Sequence, residues 1–191
     1  MQPTYRIIDL PADDQLIIER TAQLLHDGFK EHAPNAWPDL EAALAQVTSS
    51  FKAGRISRIA IRDDGTVLGW IGAIPDYNGC SWVLNPLVVH PEFQEQGIGR
   101  ALVIDLEELI RVPEGITLYL GTDDEDNRTS LGGVDLYPNV MEYTTNIKNL
   151  HRHPFEFYQK VGFVIVGLIP DANGPGKPDI IMAKRVVGER L

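Results

Sequence analysis

The stretch Leu87-Val-Val-His-Pro-Glu-Phe-Gln-Glu-Gln-Gly-Ile-Gly-Arg100 is where residue type and spacing first point to a chemical function. An apolar strand runs into a loop, and Gly97 and Gly99 fall where the loop becomes a helix. The first N–H groups of a helix have no intrahelical carbonyl to bond. With the helix dipole they make a site for anions, phosphates in particular. Glycine lets the backbone approach such a group with no Cβ in the way, and Arg100 adds a charge. A Walker-type loop needs Gly-Lys followed by Ser or Thr, where this chain has Gly-Arg-Ala, so that loop is excluded. A dinucleotide turn sets Gly-x-Gly-x-x-Gly directly after its strand. Here Leu102 stands in the third glycine position and the glycines come well after Val89. A glycine-containing turn that binds nothing is the remaining alternative.

Other chemistry-bearing residues lie further on. Asp123 and Asp124 open the run Asp-Asp-Glu-Asp126, of which Glu125 and Asp126 read as a solvated acidic loop. A calcium loop is excluded, because Thr129 stands where the sharp turn needs glycine and Arg128 falls on a ligand position. His151 and His153 form no zinc set. Cys80 is the sole cysteine and has no activating partner in view.

The elements that carry these residues follow from hydrophobic periodicity and breakers. Tyr5–Leu10 reads as a strand, and a helix starts after Pro11 with Asp13 and Asp14 at its N-terminus. A second helix opens at Pro38 and runs to about Phe51. Arg58–Arg62, Val67–Ile74 and Ser81–Val89 read as consecutive strands, the first two joined by the turn Asp63-Asp64-Gly65-Thr66. Pro86 cannot donate to a ladder, so it marks an unpaired flank or a bulge. A helix from Gly97 to about Arg111 carries Ile98, Leu102, Leu106, Leu109 and Ile110 on one face. Ile116–Leu120 is a strand, and Gly121 to Tyr143 reads as irregular. A short helix near Pro154–Lys160 and strands Phe163–Ile169 and Ile180–Ala183 complete the chain. The expectation is a single domain over residues 1–191, a mixed α/β (α+β) fold.

Composition narrows the partners. Twenty-seven acidic against 17 basic side chains give a formal net charge of -10, which disfavours nucleic acid and favours a cationic small molecule. No apolar run approaches the ~20 residues a membrane-spanning helix needs. With one cysteine and no secretory pattern at the N-terminus, the expected location is cytoplasmic.

The pattern Leu-x-Val-x-Pro-x-x-Gln-x-x-Gly-x-Gly, with its core Gln94-x-x-Gly97-x-Gly99, resembles the acyl-CoA motif of the GNAT superfamily of N-acetyltransferases. Phe157-Tyr-Gln-Lys-Val-Gly-Phe163 resembles that superfamily's second landmark. Over roughly residues 80–185 the chain resembles the aminoglycoside 6'-N-acetyltransferases and their close relatives, on Leu120–Asn127, Gly133–Pro138, His153–Lys160 and Ile169–Ile180.

The resemblance implies a central, mostly antiparallel sheet of about seven strands, splayed in the middle and flanked by about four helices. It implies acetyl-CoA as co-substrate, no metal, and direct attack by a primary amine, such as the 6'-amine of an aminoglycoside. A polyamine, a protein lysine or N-terminus, or a non-catalytic acyl-CoA-binding role are the alternatives. By the same likeness Gln94, Gln96, Gly97, Ile98, Gly99 and Arg100 hold the cofactor, with Asn127 and the backbone of Val88 and Val89. Tyr158 is implied as general acid, Asp123 as substrate carboxylate or base, and Asp124 as a substrate contact. Many relatives carry a glutamate in the strand before the glycine loop. Val83 stands there in this chain, which moves weight onto Asp123. A homodimer is the implied assembly.

Overall fold

The computed structural model describes residues 4–186 and contains seven strands and five α-helices in a mixed α/β arrangement. The chain divides into two compact units, the first ending at Ile116 and the second beginning at Thr117.

In the first unit, β1 (Arg6–Asp9), β2 (Ile56–Ile61), β3 (Val67–Asp76) and β4 (Ser81–Val89) form antiparallel ladders in the order β1-β2-β3-β4. The β2–β3 turn closes on Gly65 at φ +79°, while Asp64 Oδ1 accepts from the Thr66 N–H. Helix α1 (Gln15–Phe29) starts at Asp14, whose carboxylate accepts from Ile17 N at 3.1 Å. Helix α2 (Leu40–Ser49) starts the same way at Asp39. Each cap satisfies an N–H that the helix cannot. The buried stripe of α1, including Ile17, Leu24 and Leu25, joins Ile59, Trp70 and Val88 in one apolar core.

Helix α3 (Ile98–Arg111) buries Ile98, Leu102, Val103, Leu106 and Ile110, the spacing of a single helix face. It sits on β3 over Gly69, where a Cβ would come within 2.9 Å of the Leu102 side chain. Arg58 ties the assembly together. It grips Asp105 of α3 with two bonds, at 2.8 and 3.1 Å, and reaches Asp9 of β1 at 2.7 Å. Its hydrogen bond to Asp105 holds the guanidinium pKa above its ordinary value. Pro86 lies at the irregularity expected for it, since the β3–β4 register shifts between Ile71 and Ala73.

In the second unit, β5 (Thr117–Asp123), β7 (Asp179–Arg185) and β6 (Val164–Ile169) pair antiparallel in the order β5-β7-β6. Helices α4 (Val140–Thr145) and α5 (Phe155–Lys160) have six residues each. Three expectations need correction. Strand β5 runs on past Leu120 to Asp123, and β7 begins at Asp179 rather than Ile180. Helix α4 overlaps the end of the stretch read as irregular. It buries none of its residues, so it leaves no apolar period to read.

Candidate active site

The glycine loop of the first unit is built by its own side chains. β4 ends at Val89, and His90 N is held by Leu68 O at 2.8 Å. His90 Nδ1 then accepts from Glu92 N to start a single 3-10 turn, Pro91–Phe93. Gln94 Nε2 donates to Val89 O at 3.1 Å and Gln96 Nε2 to Glu92 O at 3.0 Å. Both glutamines are therefore loop staples through their amides. The Arg62 guanidinium lies 4.6 Å from the centre of the Phe93 ring and steadies the outer wall.

Gly97 then caps α3 at φ +87°, a left-handed conformation natural to glycine. No atom lies within 4 Å of where its Cβ would be, so the surface beyond it is open. The first intrahelical bond runs from Ala101 N to Gly97 O, which leaves the N–H groups of Ile98, Gly99 and Arg100 without helical partners. Ile98 is buried and anchors the helix start, and Arg100 is exposed. On β4, Val88 is buried and Val89 and Val83 are half-buried; the register shift between Ile71 and Ala73 puts Val83, opposite Ile74, on the face of Val88, opposite Trp70, and not on that of Val89.

The second unit gathers the remaining candidates around the end of β5. Asp123 is exposed, and its Oδ1 accepts from Asn173 Nδ2 at 2.5 Å. Asn173 belongs to the 170–178 loop, which folds back on its own unit through Gly133 N to Gly176 O at 2.8 Å. Asp124 has the opposite fate. It is fully buried, with Oδ1 taken by Arg128 N and Oδ2 by the N–H and hydroxyl of Thr129. The expectation that Asp124 contacts substrate is therefore corrected: every bond its carboxylate makes locks the 124–129 loop. Asn127 sits in that loop at φ +59°, exposed, with its Oδ1 folded over Gly132 and Gly133.

Tyr158 lies on α5 against Phe157 and Phe163, ring centres 5.2 and 5.6 Å away. Burial pushes its phenol well above the ordinary tyrosine value, so it keeps its proton throughout the neutral range. Among the described residues none hydrogen-bonds the hydroxyl.

The parts played here by two residues were not read from the sequence. Asp179 stands directly opposite Asp123 in the β5–β7 ladder, both side chains on one face. Its carboxylate lies over Gly121, where a Cβ would fall 2.3 Å from Oδ2. Its Oδ1 is buried with no hydrogen-bond partner. Desolvation, then the negative charge of Asp123, push this carboxyl up to about 6. The second is His153, whose buried ring links Asp123 to the start of α5. Carrying β5 on to Asp123 would have exposed the first. Nothing in its immediate sequence marks the second. Among the described residues no group of three or more His, Cys, Asp or Glu is arranged to hold a metal.

The family model described as acetyltransferase (GNAT) family matches residues 19–137. The chain belongs to that family and is an acetyl-CoA-dependent N-acetyltransferase. No curated protein sequence matches it. Among solved structures it is similar to an aminoglycoside 6'-N-acetyltransferase complexed with coenzyme A, at 36% identity and TM-score 0.87, covering 97% of this chain and 99% of that one. It is likewise similar to the aminoglycoside 6'-N-acetyltransferase from Enterococcus faecium, at 37% identity and TM-score 0.86, with the same coverage. A third, aminoglycoside 6'-acetyltransferase type Ii, shares 31% identity at TM-score 0.72, covering 97% of this chain and 99% of that one.

Proposed function

We propose that the chain acts over residues 1–191 as one acyltransferase domain and acetylates the 6'-amine of an aminoglycoside. The observation that carries this reading is the near-full-length likeness to aminoglycoside 6'-N-acetyltransferases. In this reading the N–H groups at the start of α3 and the Gly97–Arg100 turn hold the cofactor's phosphates. Gln94 and Gln96 shape that turn, and Asn127 adds a polar contact. Backbone N–H groups around Val88 and Val89 polarise the thioester carbonyl.

The acceptor arrives as an ammonium ion, drawn by a chain of net charge -10. Asp123, exposed at the end of β5, takes it up and accepts the proton directly or through water. The free amine attacks the carbonyl carbon to give a tetrahedral intermediate, the C–S bond breaks as Tyr158 protonates the leaving thiolate, and the surplus proton on nitrogen restores the phenol through water. A phenol held protonated by burial is always loaded for that step. As negative charge builds on sulfur the hydrogen bond strengthens and the proton follows.

No helix among the described residues is long and apolar enough to cross a membrane. A cytoplasmic location completes the reading, supported by a single unpaired cysteine. So does a homodimer, supported by the edge strand β6, which leaves Val164, Val166 and Ile169 exposed.

The test is thiol release from acetyl-CoA with a panel of amines. Kanamycin-type substrates carrying a 6'-amine should be acetylated, with kcat/KM falling as salt screens charge over ~8–10 Å. Analogues with a 6'-hydroxyl should give no N-acetyl product at that position. Acetylation of a simple polyamine or peptide, with every aminoglycoside ignored, would refute the acceptor.

A further inference from the structure

We propose that His153 is a positioning residue for acetyl transfer, holding the start of α5, and so Tyr158, in register with the end of β5 that carries Asp123. The proposal rests on the roles given above to Tyr158 and Asp123. His153 is 2% exposed. Its Nδ1 lies 3.3 Å from Phe155 N, and its Nε2 lies 2.9 Å from Asp123 O. A backbone N–H only donates and a carbonyl only accepts, so Nδ1 is the acceptor and Nε2 carries the proton.

The N–H it meets at the start of α5 has no intrahelical partner. Phe155 N is the first N–H of α5, and its cap residue Pro154 makes no side-chain cap bond. Tyr158 comes one turn later, with its N–H on Pro154 O at 3.2 Å. The imidazole thus serves as a rigid spacer between the helix that carries the acid and the strand end that carries the carboxylate.

The spacer is itself fixed. Asn149 brackets the backbone of His153, its Oδ1 accepting from His153 N at 2.8 Å and its Nδ2 donating to His153 O at 2.9 Å. Arg128 donates to the carbonyls of His151 and Arg152 just before it. Burial holds the imidazole pKa below its ordinary value. The Asp123 carbonyl, Asp124 and Asp126 favour the charged ring, and Arg128 opposes it. The neutral tautomer is the one the geometry requires, because an imidazolium would aim a second N–H at that of Phe155.

The experiment is a double-mutant cycle read in kcat and KM. His153→Phe keeps the ring volume and loses both bonds, while His153→Gln places an amide N–H near the Nε2 position. Each is made alone and with Tyr158→Phe, and folding is checked by circular dichroism and coenzyme A calorimetry. His153→Phe should lower kcat roughly 10–100-fold, the scale of a small misplacement of a catalytic group, with KM for acetyl-CoA nearly unchanged. His153→Gln should recover part of that loss. In the Tyr158→Phe background His153→Phe should cost little more, since the group it positions is gone.

Wild-type kcat in His153→Phe, or the same fold-loss in both backgrounds, overturns the positioning role while leaving the acetyltransferase reading intact. Undiminished turnover in Tyr158→Phe alone overturns the acid role, and this proposal with it. If His153→Phe does not fold, the cycle with His153→Gln decides by the same non-additivity.

Discussion

Asp179→Asn should stabilise this protein above neutral pH, and the size of the gain follows from the carboxylate pair. Asp123 and Asp179 face each other across a ladder, an arrangement that is unfavourable when both are charged. Burial and that neighbour move the Asp179 carboxyl from 3.8 to about 6. At 1.36 kcal/mol per pH unit the displacement corresponds to about 3 kcal/mol, and solvent screening of a partly exposed group reduces this to about 1–2 kcal/mol. The sign follows from proton binding. Between pH 3.8 and about 6 the folded state holds a proton that the unfolded chain has released. Stability is therefore lost as pH rises through that window, and the penalty is complete above it. Asparagine is neutral, and its amide can donate to Asp123. Urea denaturation should show the variant about 1–2 kcal/mol more stable at pH 8, roughly 2–8 °C in Tm for a chain of this size. At pH 5 the gap should shrink to about half. A gap that does not change with pH, or a wild type favoured at pH 8, would refute the like-charge account.

Four further outcomes are expected. Gly99→Asp should sharply weaken coenzyme A binding in calorimetry by placing a carboxylate at the start of α3, and Gly97→Ala should cost about 1–2 kcal/mol of stability through its left-handed φ alone. Tyr158→Phe preserves the packing against Phe163 and should lower turnover roughly 10²–10⁴-fold when chemistry is the slow step. His153 has a folded-state pKa lowered below 6.5, so its contribution to stability should be present above that pH and lost as pH falls below it; denaturation of His153→Gln should lack this acid-side loss.

The parts of the fold legible in the sequence are those with a local physical signature. Asp14 and Asp39 precede apolar periodic runs and cap α1 and α2. The stripe Ile98, Leu102, Leu106, Ile110 marks the buried face of α3, and the two glycines before and within its first turn mark its open end. What stayed hidden depends on pairing between distant segments. The Gly121-Thr-Asp-Asp run looks like a loop because glycine and aspartate disfavour strands. The β7 partner overrides that preference, and nothing near Asp123 announces Asp179, 56 residues on. The link from His153 to the carbonyl of Asp123 is equally long-range.

Parity separates the two aspartates that composition cannot tell apart. Along an extended chain successive side chains point to opposite faces. The ladder continues one step beyond β5, with Asp124 N bonded to Pro178 O at 2.9 Å. Asp124 thus falls on the face of Leu118, Leu120 and Thr122, which is buried, and Asp123 on the face of Gly121, which is open. Adjacent acids in one acidic run thereby receive opposite tasks. The inward one is consumed by Arg128 N and Thr129, fixing the loop that leads to Asn127. The outward one keeps exposed carboxylate surface, beside an aspartate whose Oδ1 is buried and unpaired. A like-charged, incompletely bonded pair lowers stability at neutral pH. On the role proposed for Asp123, that cost falls where an ammonium ion would be drawn in and deprotonated, and the negative charge that weakens the empty fold would strengthen the loaded one.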